Sequence, residues 1–563
     1  MFGILPKGKL GIGPAIENGF YYDFLLPRNL TPDDLKGFEK RMREIIKQGL
    51  AFRGKKVTST EARKTFKDQP FKLELIKDFA REKKQLSIYK TGDVFTDLCR
   101  GGHVKNTKEI NPDAFRLTSI AGAYWKGSEK NPQLQRVYGV AFKTKRELEV
   151  YLLQQEEAKK RDHRKLGKEL DLFTFSDLVG PGLPLYTPRG TIIINELYRE
   201  LLRISKDYGV QEVKIPHMAK IELYETSGHA EKFKDELFKV KSHYDIEFVL
   251  KPVNCPHHTQ IYASRPRSYR DLPLRFIEST AQHRDEKPGE IGGLSRTRSF
   301  TVDDGHTFCR VDQIKEEAKN TCRIIERFYK ALGLWGDHWV SLSVRDPKTP
   351  EKYIGIKADW DKAEKMIQEV SKELKLGGKV VKGEAAIYGP KIDFMFKDAL
   401  GKEIQLATVQ IDFAMPKRFG LTYTTAGGKQ ETPVMLHRAI LGSYERFLAI
   451  LLEHYAGAFP LWLAPVQVAI LPISQKFTSY AEKVAKALRE KNIRVEISDA
   501  NETIGKQIRE AELQKIPYLL VVGEKEIKSN SVAVRKRGKG DIGVEKLSKF
   551  VEEISKEINE RKA

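Results

Sequence analysis

Apolar positions along the chain fall into two kinds of periodic segment. Ile194, Leu197, Tyr198, Leu201 and Leu202 follow the i, i+3, i+4, i+7, i+8 spacing of one helix face, which predicts an amphipathic helix after the Gly180-Pro181-Gly182 break. Val210 to Ile215 then reads as a strand, halted by Pro216. Phe276 to Glu286 predicts a strand and Arg296 to Val302 a second extended segment, with the Gly/Pro-containing stretch Lys287 to Ser295 between them. That is an antiparallel hairpin. Tyr444, Phe447, Leu448, Leu451 and Tyr455 mark another helix, with Ser443 placed to cap it and Arg446 on its first turn. Beyond Pro465 the pattern alternates: strand Val466 to Leu471, helix Tyr480 to Lys491, strand Arg494 to Ser498, helix Ile504 to Lys515, strand Tyr518 to Val522. Such alternation predicts an α/β domain with helices covering its sheet.

Upstream, short strands separated by turns such as Gly11-Ile12-Gly13-Pro14 and Asn18-Gly19, with a charged helix near Asp33 to Gly49, suggest a small α+β domain. Lys145 to Leu170 reads as a connecting helix ending in a basic cluster of Lys159, Lys160, Arg161, Arg164, Lys165 and Lys168. A solvated helix face accounts for that cluster as well as RNA contact does. The whole is an α+β multidomain chain, since 563 residues exceed what one hydrophobic core organises.

Charge adds a partner. With 99 Lys+Arg against 77 Asp+Glu the net charge is +22, which draws polyanions and makes nucleic acid the leading candidate. At 31% charged and 40% apolar residues, disorder and membrane burial are excluded as descriptions of the chain. Cys99, Cys255, Cys309 and Cys322 are few and irregularly spaced, and no basic segment with an apolar signal core opens the sequence, so a reducing cytoplasm is expected.

The chemistry lies in the hairpin and the last helix of the central region. Arg284 and Glu286, two apart on a predicted strand, would share a face, and an arginine in a cleft suits a phosphate. These segments, with the helix and strand ending at Pro216 and Gly442-Ser443-Tyr444-Glu445-Arg446, resemble the three signature motifs of class II aminoacyl-tRNA synthetases. Lys251-Pro252-Val253-Asn254-Cys255-Pro256, Asp303-Asp304-Gly305-His306, Tyr388-Gly389-Pro390-Lys391 and Val434 to Ser443 narrow the resemblance to the threonyl-tRNA synthetase family, over almost the whole chain and in the family's order.

The resemblance implies four regions: a partial editing domain over 1–143, a linker helix over 144–170, a catalytic domain on an antiparallel sheet over 171–460, and an anticodon-binding α/β domain over 461–563. It implies threonine activation with ATP and Mg²⁺, transfer to tRNA(Thr), and a homodimer. Cys255, His306 and His437 match the family's zinc ligands, and three protein ligands leave positions open for a substrate. Asp304 matches the threonine-contacting carboxylate; Tyr388, Lys391, Gln410 and Ser443 match further active-site positions. Arg284, Glu286 and Arg446 align with the groups that handle ATP, and His229 with the histidine that deprotonates the ribose, a task for which an unperturbed imidazole suits. Asn501, Arg509, Glu526 and Arg535 fall on anticodon-contacting positions. Val302 and Leu406-Ala407-Thr408 depart from the family's usual residues.

Asp97, Cys99 and His103 match half of the family's editing site. The other half is a His-x-x-x-His helix that would precede Gly11, so editing of seryl-tRNA in cis is expected to be lost or weakened. Two alternatives stand beside this reading. A proline or serine synthetase would share Arg284 and Arg446 but not need the Cys/His/His set, and a non-catalytic RNA-binding paralogue would not need Arg284, Glu286 and Arg446.

Overall fold

The predicted hairpin is the centre of an eight-stranded sheet. In the computed structural model, which describes residues 8–336, 338–397 and 401–562, the strand order is Gln211–Glu212, Leu274–His283, Ser299–Cys309, Val434–Ala439, Glu403–Asp412, Lys391–Lys397, His338–Val344, Lys379–Lys382. Every neighbour pair is antiparallel except the two at the edges. Alternate residues go to opposite faces. Ile277, Cys309, Leu436, Val409, Ile411, Ile392 and Phe394 therefore enter one large core with the helices Pro188–Lys206, Ile314–Ala331 and Tyr444–Tyr455. The other face carries a smaller cluster around Phe276, Phe308 and Met435, with Cys255 and Tyr262 of the helix Cys255–Ala263.

Several expected boundaries moved, most of all around the hairpin and the connecting segment. Val210 to Ile215 contributes only Gln211–Glu212 to the sheet, because the Ile215 N–H turns away and donates to the Glu278 side chain at 2.9 Å. The second hairpin arm begins at Ser299 and runs on to Cys309, through a polar, Gly-containing stretch without strand-like periodicity. The connecting segment is two helices, Lys145–Lys160 and His163–Glu169, the second capped by Asp162, whose carboxylate accepts the Arg164 N–H at 2.8 Å.

The chain forms two compact units, residues 1–156 and 157–563. In the first, the strands Lys9–Leu10, Gly19–Leu25, Gln133–Ala141 and Phe115–Tyr124 form a sheet in that order with the helix Pro32–Gln48 packed on it, and a second sheet comprises Phe52–Val57, Leu86–Thr91 and Phe95–Leu98. In the second unit, the C-terminal sheet runs Val495–Ile497, Val468–Pro472, Tyr518–Val522, Ser531–Lys536, Gly540–Lys546, its first three strands parallel. Val468 and Ile470 pack toward the helices Thr478–Arg489 and Leu547–Glu560, Ala469 and Leu471 toward Ile504–Leu513, so both faces are covered as the alternating pattern predicts. This domain is tied to the helix Pro188–Lys206 through the buried Glu196, which meets Arg561 at 3.1 Å and Arg494 at 3.3 Å. Among the described residues no helix is long and apolar enough to cross a membrane.

Candidate active site and metal centre

Strand register brings the predicted ligands together. His306 lies opposite His437, His437 opposite Gln410, and Gln410 opposite Lys391. Residues paired across neighbouring strands project from the same face, so these four form one file across four strands, with Asp304 and Asp412 two positions along. The file sits on the face away from the main core. Cys255, the first residue of its helix, comes over the file so that its Sγ and one nitrogen of each of His306 and His437 lie within 4.8 Å of one another.

The hydrogen bonds behind these imidazoles decide which nitrogens face the centre. His437 Nε2 is 2.9 Å from Asp412 Oδ2, and His306 Nδ1 is 2.7 Å from His258 Nδ1. His306 Nε2 and His437 Nδ1 are left facing each other at 3.1 Å. Two nitrogens at ~2.0–2.1 Å from one tetrahedral ion would lie roughly 3.4 Å apart, so the pair is spaced for a shared metal. Burial, reinforced by Asp304 and Asp412, pushes the Cys255 thiol well up, and a cation there would supply the charge that favours the thiolate. One sulfur and two nitrogens, all buried, are a donor set for zinc with a position left open.

Around this centre the Tyr388 ring stacks on His437, centroids 4.5 Å apart, and its hydroxyl donates to Gln410 Oε1 at 2.8 Å. Asn254 Nδ2 donates to Asp304 Oδ2 at 3.1 Å, while burial raises the Asp304 carboxyl above its usual range. Lys391 is held by Asp393 at 3.0 Å, which also accepts from Ser343 and Thr408. Leu406 and Ala407 point into the main core rather than into the site, and Val302 bridges to Ser443.

His229 differs from the unperturbed imidazole expected from the sequence. It is 3% exposed, its Nδ1 lies 2.9 Å from Ser227 Oγ, and burial, then the nearby Lys232 and His437, holds its pKa down to about 3. The native imidazole stays neutral while the unfolded one protonates near 6.5, so stability attributable to this group declines as pH falls between those two values. Any proton transfer that runs through His229 is accordingly expected to show no break near 6.5, and a break there that vanishes in His229→Gln would contradict this.

The arginines lie at the far end of the hairpin. Arg284 has its guanidinium 4.6 Å from the Phe233 ring and 5.2 Å from that of Phe300, with only long bonds of 3.3 and 3.4 Å to the Pro252 carbonyl. The regular ladder ends at His283 and the Glu286 N–H turns back to the Arg284 carbonyl, so the face-sharing expected of residues two apart on a strand does not reach Glu286. Its carboxylate is instead engaged by Arg296 at 2.7 Å. Ser443 caps the final helix by accepting the Arg446 N–H at 3.2 Å, and Arg446 Nε donates to the Ser295 carbonyl. Burial lowers the Arg284 pKa against the opposing pull of Glu236 and Glu286, and the like charges of Arg446 and Arg296 add to the lowering. A polyanion between these side chains would relieve that repulsion.

Sequence reasoning gave no role to Asp303, His258 or Asp412. Asp303 accepts the backbone N–H groups of Ile440, Leu441 and Gly442 at 2.7, 3.2 and 2.7 Å, which fixes the turn into the Arg446 helix. Arg438 lies over Gly305, where a Cβ would come within 2.5 Å of its Nε, so only glycine fits next to His306. Asp303 stands in the quoted motif Asp303-Asp304-Gly305-His306, which signals its place in the family pattern but not the three N–H groups it gathers.

Elsewhere, Cys99 Sγ lies 3.1 Å from His103 Nε2, and His103 stacks on Phe52. Asp97 is engaged by Lys72 at 2.6 Å and by the Tyr22 hydroxyl at 2.5 Å. In the C-terminal domain Asn501 and Arg509 are exposed and Arg535 is half-buried on its strand. Glu526 is buried, with its carboxylate accepting the Gly523 N–H at 2.9 Å, a helix-capping bond.

A largely antiparallel sheet that carries a polar file on one face, with a hairpin arginine and a helix-borne arginine together at one end, is the architecture of the class II aminoacyl-tRNA synthetase core. Residues 238–455 match the family model described as tRNA synthetase class II core domain (G, H, P, S and T), 467–557 that of the anticodon binding domain, and 86–138 that of the threonyl and alanyl tRNA synthetase second additional domain. The chain is 49% identical to the "Threonine--tRNA ligase" of Gloeobacter violaceus, covering 98% of this chain and 89% of that protein, and 47% identical to that of Thermus thermophilus, covering 98% and 85%. A crystal structure of the RNA binding domain of threonyl-tRNA synthetase from Cryptosporidium parvum superposes with a TM-score of 0.66 at 35% identity, over 70% of this chain and 98% of that one. The chain belongs to the threonyl-tRNA synthetase family.

Proposed function

We propose that this protein activates L-threonine with ATP and transfers it to the 3′ end of tRNA(Thr). The observation that carries the proposal is the convergence of Cys255, His306 and His437 beside Asp304. These three would hold a zinc ion, and bound zinc supplies open coordination positions for the amino and hydroxyl groups of threonine. Asp304 would accept from the same hydroxyl. Valine would leave that carboxylate unpaired, a penalty of the kind that rejects analogues strongly. Serine lacks only a methyl, worth roughly 1–3 kcal/mol, or about 10- to 200-fold.

Tyr388 and Gln410 would line the amino-acid pocket and Lys391 would meet the carboxylate end. Arg284 and Arg446 would clamp the triphosphate of ATP, bound with Mg²⁺, while the threonine carboxylate attacks the α-phosphorus and pyrophosphate leaves. Glu286 would hold the hairpin loop through Arg296, and Ser443 would fix the Arg446 helix. For transfer, His229 would accept the ribose proton through Nε2, the nitrogen not bonded to Ser227. Asn501, Arg509, Glu526 and Arg535 would contact the anticodon on the basic C-terminal domain. The acting form would be a cytoplasmic homodimer, in keeping with the class.

ATP–pyrophosphate exchange across a panel of amino acids tests this. Exchange should be fastest with threonine, roughly 10- to 200-fold lower with serine, and lower still with valine. Exchange that prefers proline, or none with any amino acid, would overturn the proposal in favour of a related synthetase or a non-catalytic RNA-binding protein.

A further inference from the structure

We propose that His258, backed by Glu278, is the positioning residue that fixes His306 in its metal-ligating orientation and tautomer. The inference rests on the reading of Cys255, His306 and His437 as a metal centre. His437 has its carboxylate directly behind it in Asp412. Among the described residues no carboxylate stands behind the His306 Nδ1 in that way. What stands behind it is a second imidazole.

His258 is fully buried and lies three residues beyond Cys255 on the helix Cys255–Ala263. Positions three apart share a helix face, so one short helix presents both the thiol and this imidazole to the sheet. The two histidine rings meet edge to face, centroids 4.7 Å apart at 84°, with their Nδ1 atoms 2.7 Å apart. At that distance one nitrogen carries the proton and the other accepts it.

Asp304 Oδ1 lies 3.5 Å from His306 Nε2, the nitrogen that a cation at the centre would claim, and with that cation bound Glu278 sets the tautomer from behind. Its Oε1 accepts the Ile215 N–H at 2.9 Å, and its Oε2 lies 3.6 Å from His258 Nε2. Among the described residues neither that oxygen nor that nitrogen has a hydrogen-bond partner, and both are buried. A proton on His258 Nε2 faces the carboxylate charge favourably, whereas a lone pair there would be repelled by it. His258 Nδ1 is then the acceptor and His306 Nδ1 the donor, which leaves the His306 Nε2 lone pair aimed at the centre. The opposite tautomer would put a proton on His306 Nε2 and block ligation. Glu278, His258 and His306 thus form a carboxylate–imidazole–imidazole row, its outer step a 3.6 Å charge contact, that supports His306 from behind as Asp412 supports His437.

The test is zinc competition between the full-length protein and a chromophoric chelator, with wild type, His258→Leu, His258→Asn and His258→Gln. Asparagine keeps an acceptor near the Nδ1 position; leucine has none, and glutamine carries its amide out toward the Nε2 position. Zinc affinity is expected to fall about 10- to 100-fold in His258→Leu, the usual effect of losing an outer-shell partner, and to be largely kept in His258→Asn. KM for threonine should rise with that loss while KM for ATP stays. Retention of wild-type zinc affinity by His258→Leu, or equal loss in Leu and Asn, would overturn the inference. Should His258→Leu fail to fold by circular dichroism, the Asn and Gln variants decide: equal affinities in those two overturn it. Wild-type protein that takes up no zinc would instead sink the metal reading, and this inference with it.

Discussion

Replacing Cys255 with alanine is expected to abolish threonine activation while leaving the fold in place. The thiol is one of three converging donors, and the two imidazoles that remain cannot hold a borderline-soft ion in a tetrahedral site with positions to spare for substrate. Loss of a metal that binds substrate removes several kcal/mol of interaction, roughly a thousandfold or more in exchange rate. The same result is expected from stripping metal out of wild-type protein with a chelator, with recovery on adding zinc back. Zinc content and threonine-dependent pyrophosphate exchange, measured on the same samples, check it. Full exchange activity in metal-free protein would overturn the metal's role. The buried thiol also gives the variant an internal control, because Cys255 contributes to the small apolar cluster with Tyr262, Phe276 and Met435, where a modest loss of packing is expected with or without metal.

Arg284→Ala and Arg446→Ala are each expected to slow adenylate formation by about 10²- to 10³-fold, the usual effect of deleting one pre-organised donor to a developing charge. The structure supports separate contributions. Arg284 is framed by Phe233 and Phe300 and loosely bonded to one carbonyl, so its guanidinium is available to a phosphate. Arg446 is placed by the Ser443 cap and by the Asp303 carboxylate that gathers the three preceding backbone N–H groups. Arg535→Ala, on a strand of the C-terminal domain, should weaken tRNA charging and spare pyrophosphate exchange. Equal loss of exchange in all three variants would refute this division of labour.

Sequence alone determined the parts whose bonding is local. The strand Tyr518–Val522 matches its expected limits, and the helix Ile504–Leu513 starts where expected and ends two residues early. Ser443 caps the helix that its position announced. Helical ladders and caps are satisfied within a few residues, so periodicity and cap chemistry record them. The quoted motifs likewise sufficed for the family, because residue identities in order survive without coordinates. Tertiary structure decided everything that depends on register and burial. The stretch from Asp303 to Cys309 carries polar residues and a glycine, and it is a strand because partners on both sides pair with it. That pairing sets His306 against His437 and brings Cys255 over them. Burial decided that His229 is neutral, and packing decided that Asp412 and His258 stand behind the two ligands. A linear pattern specifies which face a residue takes within its own strand. Which residue of a distant strand lies opposite it, and how much water remains between them, is settled only when the strands pair and the core closes.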